Sequence, residues 1–259
     1  AQFGIFAWFS YPLPIKERLQ RIKQAGFSAT SLWWGDEDGA EKHRQPELAR
    51  QIGLAVDNVH APYGNTNALW EDGIEGEAYL QTLLSCIGDC SLHGIPTSVV
   101  HITRLSIRSE VTRIGMDRVK RLVEFAEQKQ VNLAIENLNS IPHLDRIYAE
   151  LSSERLGFCY DSGHEHFIHP NADCLSRYGN KLFAVHLHDN CGDSDAHLLP
   201  YDGTIEWDAV RTKLKACREI PYLTLEVDFK REHPKSALYR GLSAAEFLAL
   251  AYARLQLLA

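Results

Sequence analysis

The sequence predicts one α/β domain, a (β/α)8 barrel in which eight parallel strands alternate with helices. Eight short apolar runs are separated by helical patterns, and no linker or low-complexity stretch divides the chain. Strands that alternate with helices are typical of a parallel sheet with helical crossovers. A barrel of eight such units needs about 250 residues, and the chain has 259. We therefore expect a single barrel domain over residues 1–259.

The predicted strands are apolar runs of the kind that form parallel strands buried on both faces. In chain order they are FGIFAW (3–8), ATSLWW (29–34), AVDNVH (55–60), TSVVHI (97–102), VNLAIEN (131–137), LGFCYD (156–161), LFAVHLH (182–188) and YLTLEV (222–227). An open, doubly wound sheet is the alternative. That fold normally carries a GxGxxG turn after its first strand, and the segment FAWFSYPLP has no glycine.

The predicted helices carry apolar residues at helical spacing between these strands. The first, 14–25, places Ile15, Leu19 and Ile22 on one face and stops at Gly26. The others span 46–52, 76–92, 110–129, 144–151, 172–178, 207–217 and 243–257. In such a barrel, functional residues belong at the carboxyl ends of the strands and in the loops that follow them.

Composition and charge favour a soluble cytoplasmic protein, with no membrane partner, that can form a homo-oligomer. Hydrophobic residues make up 45% and charged residues 24% of the chain, as in ordinary globular domains. No run approaches the roughly 20 apolar residues of a membrane span. The start, AQFGIFAWF, opens as a strand rather than a signal peptide, although the absence of Met leaves upstream processing open. A net charge of −7 disfavours nucleic acid as a partner without excluding it.

The six cysteines show no CxxC spacing, which predicts free thiols in a reducing compartment. Cys86 and Cys90 are four residues apart on one face of a predicted helix. Cys191 follows HLHDN directly, and it is a weak candidate for a metal ligand.

Nine side chains of metal-binding type follow six successive strands. They are His60, His101, Glu136, Asp161, His164, His186, Asp195, His197 and Glu226. Glu136, Asp161 and Glu226 stand directly behind buried apolar runs, where three carboxylates would repel one another. A divalent cation is the simplest neutraliser, because these strands contain no Lys or Arg. The pattern therefore predicts a polynuclear metal site in the mouth of the barrel.

The ligand types narrow the identity of the metal, but they do not assign every ligand. Histidine combined with carboxylate suits Zn²⁺, Mn²⁺, Fe²⁺ or Co²⁺ better than Ca²⁺ or Mg²⁺. The i,i+3 spacing of Asp161 and His164 suits a turn at the strand end. His186 and His188 share one strand face, so spacing leaves open which of them binds metal and which orients a ligand or contacts substrate.

Weaker signals surround this set. Aromatic residues crowd the first two strand ends, and Trp8 and Trp33 can form an apolar wall for a sugar-like ligand, although barrel packing explains some of them as well. Arg104, Lys230 and Arg231 follow strand ends and can bind an anion, while solvated loop charges are the competing interpretation.

The chain resembles the xylose isomerase-like TIM barrels, the superfamily that includes sugar-phosphate isomerases and epimerases and endonuclease IV. The resemblance covers essentially all eight β/α units. It is carried by HLHDNCGDSDAHLLPYDGTIEW (186–207), supported by HAPY (60–63), IEN (135–137) and DSGH (161–164).

The resemblance implies two layers of metal ligands. Isomerases and epimerases of this superfamily hold one divalent metal with a core set that matches Glu136, Asp161, His186 and Glu226. The endonuclease IV branch adds an outer set that matches His60, His101, His164, Asp195 and His197. By this likeness His60, His101 and a bridging Glu136 would hold one zinc ion, the core set a second, and His164, Asp195 and His197 a third. The likeness of the HLHD segment favours His186 over His188 as a ligand.

The loops depart from the endonuclease IV pattern. The fourth strand ends in HITRLS instead of an HPGS-type loop, and the fifth continues as ENLNS in place of ENTAG. The sixth continues as DSGHEHFIHP without the CHAFAAG-like run. Because those loops shape the nucleic-acid groove, the resemblance favours a carbohydrate-like substrate over DNA.

We therefore expect an isomerase or epimerase of a sugar or sugar derivative that uses Zn²⁺ or Mn²⁺, with about one to three ions per chain. Glu136 and Glu226 would remove and return a proton next to a metal-bound carbonyl or hydroxyl. The candidate substrate contacts are His188, Trp8, Trp33 and Arg104. The alternatives are an endonuclease IV-like trinuclear zinc phosphodiesterase (an AP endonuclease), a metal-dependent lyase or dehydratase, and a non-catalytic zinc-dependent binding protein.

Overall fold

All eight predicted strands form, and they lie side by side as parallel neighbours. The computed structural model describes residues 1–105, 109–229 and 232–259, without the side chains of residues 36–38 and 40. The strands are β1 (Gln2–Phe6), β2 (Ala29–Trp33), β3 (Ala55–His60), β4 (Thr97–Val100), β5 (Asn132–Glu136), β6 (Leu156–Asp161), β7 (Leu182–His186) and β8 (Tyr222–Leu225). Their order in the sheet is β7-β6-β5-β4-β3-β2-β1-β8, so strands that follow each other in the chain are neighbours.

The sheet curls into a nearly closed barrel, because its two end strands meet. Leu187, one residue beyond β7, forms a parallel bridge with Leu225 of β8. The Leu187 N–H donates to Thr224 O at 3.0 Å, and the Glu226 N–H donates to Leu187 O at 3.1 Å. The predicted (β/α)8 barrel is confirmed, and the open doubly wound alternative is excluded.

Helices fill the crossovers much as predicted. They are α1 (Ile15–Gln24), α2 (Gln45–Ile52), α3 (Ile74–His93), α4 (Arg113–Lys129), α5 (Ile141–Glu150), α6 (Ser162–Ile168), α7 (Cys174–Tyr178), α8 (Trp207–Ala216) and α9 (Ala244–Gln256). Short 3-10 segments cover Asp36–Arg44, Thr66–Trp70, Gly179–Lys181 and Pro234–Tyr239. In the described part of the chain, no helix combines the length and the apolar character needed to cross a membrane.

Helix α6 is an α-helix that the sequence pattern missed. It begins where DSGH reads as a turn, because the Asp161 carboxylate caps it and accepts a hydrogen bond from the His164 N–H at 2.6 Å. Such a side-chain cap satisfies a donor that the first helical turn leaves open. The cap therefore fixes His164 relative to Asp161 at the mouth of the barrel.

Small apolar side chains support the barrel mouth from inside. Val99, Ala134, Cys159 and Ala184 are buried together with Phe183 in one cluster. Each of the first four lies two residues before a candidate ligand, at His101, Glu136, Asp161 and His186. Residues two apart on a strand share a face, so this cluster is the floor on which the candidate ligands stand.

The cysteines agree with the prediction of free thiols. All six are free, and Cys86, Cys90, Cys159 and Cys174 are buried. Cys86 lies 3.5 Å from Ser98 Oγ of β4, so it packs between α3 and the sheet.

Candidate metal centre

The nine candidate ligands meet at one cavity of about 290 Å³ in the barrel mouth. Seven of them line this cavity, namely His60, His101, Glu136, His164, Asp195, His197 and Glu226. Asp161 and His186 lie beneath it and are 0% and 2% exposed. The structure therefore brings the whole predicted set to one end of the barrel, as the carboxyl ends of parallel strands require.

Glu136, at the end of β5, is the hub of the site. Its Oε2 lies 3.3 Å from Nε2 of His60 and 3.3 Å from Nε2 of His101. The same oxygen lies 3.2 Å from Nδ1 of His186, while Oε1 lies 3.0 Å from Nδ1 of His164. One fully buried carboxylate thus contacts side chains that arrive from four other strand ends or loops.

The core set converges as the sequence predicts. One donor atom each from Glu136, Asp161, His186 and Glu226 lies within 4.8 Å of the others, and all four residues are buried. His186 Nδ1 lies 3.1 Å from Glu226 Oε2. A second convergent set, also within 4.8 Å, consists of His60, His101 and Glu136, so Glu136 belongs to both.

The donor chemistry fits a divalent cation. Both Glu136 oxygens, His164 Nδ1 and His186 Nδ1 are buried without a hydrogen-bond partner among the described residues. Buried polar atoms are normally hydrogen-bonded, whereas these face one another as carboxylate–imidazole pairs at 3.0 and 3.2 Å without hydrogen-bond geometry. Three buried carboxylates with imidazole nitrogens form a ligand set typical of Zn²⁺ or Mn²⁺.

Backbone contacts orient two of the imidazoles toward the cavity. His60 Nδ1 donates to Ala61 O at 2.8 Å, and His197 Nδ1 donates to Glu226 O at 2.9 Å. A carbonyl oxygen only accepts, so each Nδ1 carries a proton and each Nε2 faces the site. Such outer contacts fix the tautomer of metal-ligating histidines.

The third set implied by the family resemblance is looser. Asp195 Oδ2 lies 3.0 Å from His197 Nε2 and 3.7 Å from His164 Nε2. Among the residues that the structure describes, the sets that converge within 4.8 Å do not include these three together. Another convergent set there contains His188, His197 and Glu226.

His186 and His188 both face the site, but they take different places. His186 joins the core set through Glu136 and Glu226, as described above. His188 is fully buried, its Nε2 lies 3.0 Å from Asp161 Oδ1, and its ring stacks on His197 with a centroid distance of 4.0 Å. The geometry therefore favours His186 as the core ligand and His188 as the group that orients Asp161.

Gly163 of DSGH gives His188 the room it needs. A Cβ at this position would overlap the His188 ring, whose Cε1 and Nδ1 are its nearest neighbours. We expect Gly163→Ala to push His188 away from Asp161 and to weaken zinc affinity about 10- to 100-fold, as loss of an orienting contact does. Competition with a chelator measures this change. Gly88→Ala on α3, where the nearest atom is a Phe125 carbon at 4.0 Å, should leave the affinity unchanged.

The carboxylates and imidazoles of the site shift each other's pKa. Burial raises the pKa of Glu136, but the charges of His101 and His186 outweigh it and hold the value well below the usual range. Burial lowers the pKa of His164, but the charges of Asp161 and Asp195 raise it well above the usual value. For His197, Asp195 overcomes burial and raises the pKa to about 10.

These shifts predict that metal binding depends on pH. His164, His186 and His197 all have raised pKa values, so they hold protons at neutral pH that a cation must displace. Apparent affinity should weaken as the pH falls, by about tenfold per pH unit for each proton released. Competition with a chelator of known affinity between pH 6 and pH 9 tests this expectation. A pH-independent affinity would contradict it.

The predicted substrate contacts fall in different places. Arg104 lines the cavity. Trp33 is not among the lining residues, but its ring lies 5.6 Å from that of His60 and 5.1 Å from that of Tyr63. Trp8 packs against the Arg18 guanidinium, 3.9 Å from its ring centroid. Lys230 and Arg231 lie outside the described residues. The substrate roles of Arg104, Trp33, Trp8 and His188 remain predictions.

Tyr63 and Cys159 are among the residues at the site that the sequence pattern did not single out. Tyr63 lines the cavity and stacks on His101 with a centroid distance of 4.7 Å. Cys159 forms a convergent set with Glu136 and His186 within 4.8 Å, and burial raises the pKa of its thiol to about 12. Its spacing of two residues before Asp161 is the signal that could have revealed it.

The fold and site define a β/α barrel with a metal-type centre at the mouth, and comparison with known proteins gives the family. Residues 19–245 match the model of the xylose isomerase-like TIM barrel family, and the chain belongs to that family. The uncharacterized protein y4fM of Sinorhizobium fredii is 28% identical over 261 residues, which cover 85% of this chain and 83% of that protein.

Solved structures share the fold over almost the whole chain. The structure of L-ribulose 3-epimerase covers 100% of this chain and 94% of its own, with 19% identity and a TM-score of 0.75. The IolI protein with a bound zinc atom covers 100% and 98%, with 16% identity and a TM-score of 0.76. At such identities the likeness establishes the fold, while the chemistry rests on the residues of the site.

Proposed function

We propose that the protein is a divalent-metal-dependent isomerase or epimerase that acts on a sugar or sugar derivative. The observation that carries the proposal is the convergence of Glu136, Asp161, His186 and Glu226 within 4.8 Å in a buried site. Membership of the xylose isomerase-like family and the shared fold with L-ribulose 3-epimerase support it. A cavity of about 290 Å³ is at the small end of ligand pockets, which suits a single sugar.

Glu136 and Glu226 are the proposed pair that moves the proton. Their donor atoms lie within 4.8 Å of each other, so one substrate carbon can contact both. Both pKa values are lowered because the effect of nearby histidine charges exceeds that of burial. Both groups are therefore ionised at neutral pH. One can accept the proton of the substrate C–H bond, and the other, after taking up a proton from solvent, can donate it to the same carbon.

A divalent cation held by the core set would bind adjacent substrate oxygens and acidify the C–H between them. The protein's own side chains contribute the positioning of the site. Asp161 is held by His188 and by its capping contact with His164, and the Asn137 side chain accepts from the Asp161 N–H at 2.8 Å. These contacts fix Asp161 before substrate arrives, which is the preorganisation that favours a charged transition state.

Deuterium exchange tests the proposal across several substrate classes at once. Zinc- or manganese-loaded protein would be incubated in D2O with a panel of ketoses, aldoses, sugar phosphates and sugar acids, and NMR would follow exchange next to the carbonyl. We expect one substrate class to exchange and to form its isomer or epimer, with activity lost on chelation and restored by metal. Absence of exchange across the panel by metal-loaded protein would contradict the proposal.

The second candidate is a trinuclear zinc phosphodiesterase of the endonuclease IV type. It is favoured by the second convergent set, His60, His101 and Glu136, because two cations sharing one carboxylate are typical of phosphoester hydrolysis. Metal-dependent cleavage of duplex DNA that contains an abasic site would establish this function in place of the first. A lyase or dehydratase acting through the same site would appear in the sugar panel as loss of water or carbon–carbon cleavage.

A further inference from the structure

Two buried hydroxyl groups in the cavity wall have no role in the metal centre. Thr66 begins the 3-10 segment after β3 and is 2% exposed, and Thr103 lies in the loop after β4 and is 0% exposed. Both residues line the cavity, and neither Oγ1 has a hydrogen-bond partner among the described residues. Burying a hydroxyl group without a hydrogen-bond partner costs free energy. These two groups therefore indicate that a polar atom of a ligand binds here.

Arg104 brings a positive charge to the same wall. It follows Thr103 directly and is exposed. Of the described residues that line the cavity, it is the one with a permanent positive charge. Its backbone N–H donates to Asn67 Oδ1 at 2.8 Å, which ties the loop that carries Thr103 to the segment that carries Thr66.

These residues lie where they can contact one end of a ligand bound in the cavity. They stand in the loops after β3 and β4, whereas the core set stands at the ends of β5 to β8. Thr66, Thr103 and Arg104 line the same small cavity as Glu136 and Glu226 of the core set. A molecule whose reacting carbon lies at the core set would therefore extend its far end toward Thr66, Thr103 and Arg104.

We infer that Thr66, Thr103 and Arg104 form a subsite for the anionic group at the far end of an acidic sugar substrate. The inference rests on the proposed function and narrows its substrate class to sugars that carry a carboxylate or phosphate. Hydroxyl donors beside a guanidinium fork match the oxygens of such a group. A guanidinium binds such an anion more tightly than it binds a neutral sugar hydroxyl, because a hydrogen bond between two charged groups is the stronger one.

The test compares charged and neutral sugars of the same size. Calorimetry would measure the binding of D-ribose and D-ribose 5-phosphate, and of D-glucose and D-glucuronate, to zinc-loaded protein. We expect the charged member of at least one pair to bind about tenfold more tightly. The pair that shows the preference identifies the anion as phosphate or carboxylate. Arg104→Gln should remove most of the preference, and Thr66→Val and Thr103→Val should each reduce it several-fold.

Controls separate this subsite from the metal centre and from general charge. Arg146→Gln removes one positive charge from the exposed face of α5, where Arg146 pairs with Glu150, and should keep the preference. Equal binding of charged and neutral sugars, no binding of either anion at millimolar concentration, or a preference that survives Arg104→Gln would each overturn the inference.

The outcomes also distinguish this inference from the proposed function. Metal-dependent exchange of neutral sugars without any charge preference overturns the subsite alone. An Arg104-dependent preference for anions, with no exchange in the D2O panel, supports the subsite and contradicts the isomerase or epimerase.

Discussion

Glu136→Gln is expected to weaken divalent-metal affinity by more than about 100-fold and to abolish turnover, with the fold retained. The effect is large because this carboxylate belongs to both convergent sets and contacts four histidines. Loss of even an orienting group costs about 10- to 100-fold, and a shared ligand should cost more. The fold should persist, because a neutral amide is easier to bury than a carboxylate.

Competition with a chelator measures the metal affinity of this variant, and thermal melting measures whether its fold is retained. Glu77→Gln is the matched control, since Glu77 is on the exposed side of α3 and pairs with Arg121 at 2.8 Å. That variant should bind metal like the unmodified protein. Near-normal affinity in Glu136→Gln would show that this carboxylate is not the hub of the site, whereas an unfolded variant would show that it also supports the barrel.

Glu226→Gln is expected to reduce deuterium exchange by about 10²- to 10⁴-fold, the usual contribution of a positioned acid or base. Glu226 contacts His186 Nδ1 at 3.1 Å and lies outside the set of His60, His101 and Glu136. Metal bound by that other set should therefore remain. The combination of lost proton transfer with partly retained metal separates this variant from Glu136→Gln.

The measurement is the exchange rate in D2O together with the metal content of the same sample. Glu219→Gln, an exposed carboxylate before β8, controls for the loss of one charge and should exchange normally. Exchange at the unmodified rate in Glu226→Gln would assign the proton transfer to another group. In that case His164 would be the next candidate, because it lines the cavity and its Nδ1 lies 3.0 Å from Glu136 Oε1.

Much of the architecture was predictable because its signals are local. An apolar run that ends in Glu136 or Asp161 already predicts a buried strand with a carboxylate at the barrel mouth. The meeting of such residues then follows from the parallel arrangement of the strands. For the same reason, the family resemblance and the barrel could be inferred from motifs at strand ends.

The remaining features depend on contacts between distant segments. Helix α6 forms because the Asp161 side chain caps it. The motif DSGH occurs in simple turns as well, so the motif alone does not predict a helix. The choice of His186 for the core set depends on where Glu226 lies, and spacing cannot show that. Thr66 and Thr103 read as ordinary loop residues, and their burial beside Arg104 is visible only when the loops after β3 and β4 meet at the cavity.

Metal content is the most direct test of the central claim that the barrel mouth is a divalent-metal centre. Protein purified without chelator, or saturated with Zn²⁺ or Mn²⁺ and then desalted, would be measured by elemental analysis. We expect about one ion per chain if only the core set binds, and about three if the outer set binds as well. Either content should fall in Glu136→Gln. Stoichiometric metal that is unchanged in Glu136→Gln, or none retained by the unmodified protein after saturation, would contradict a metal centre built on this carboxylate.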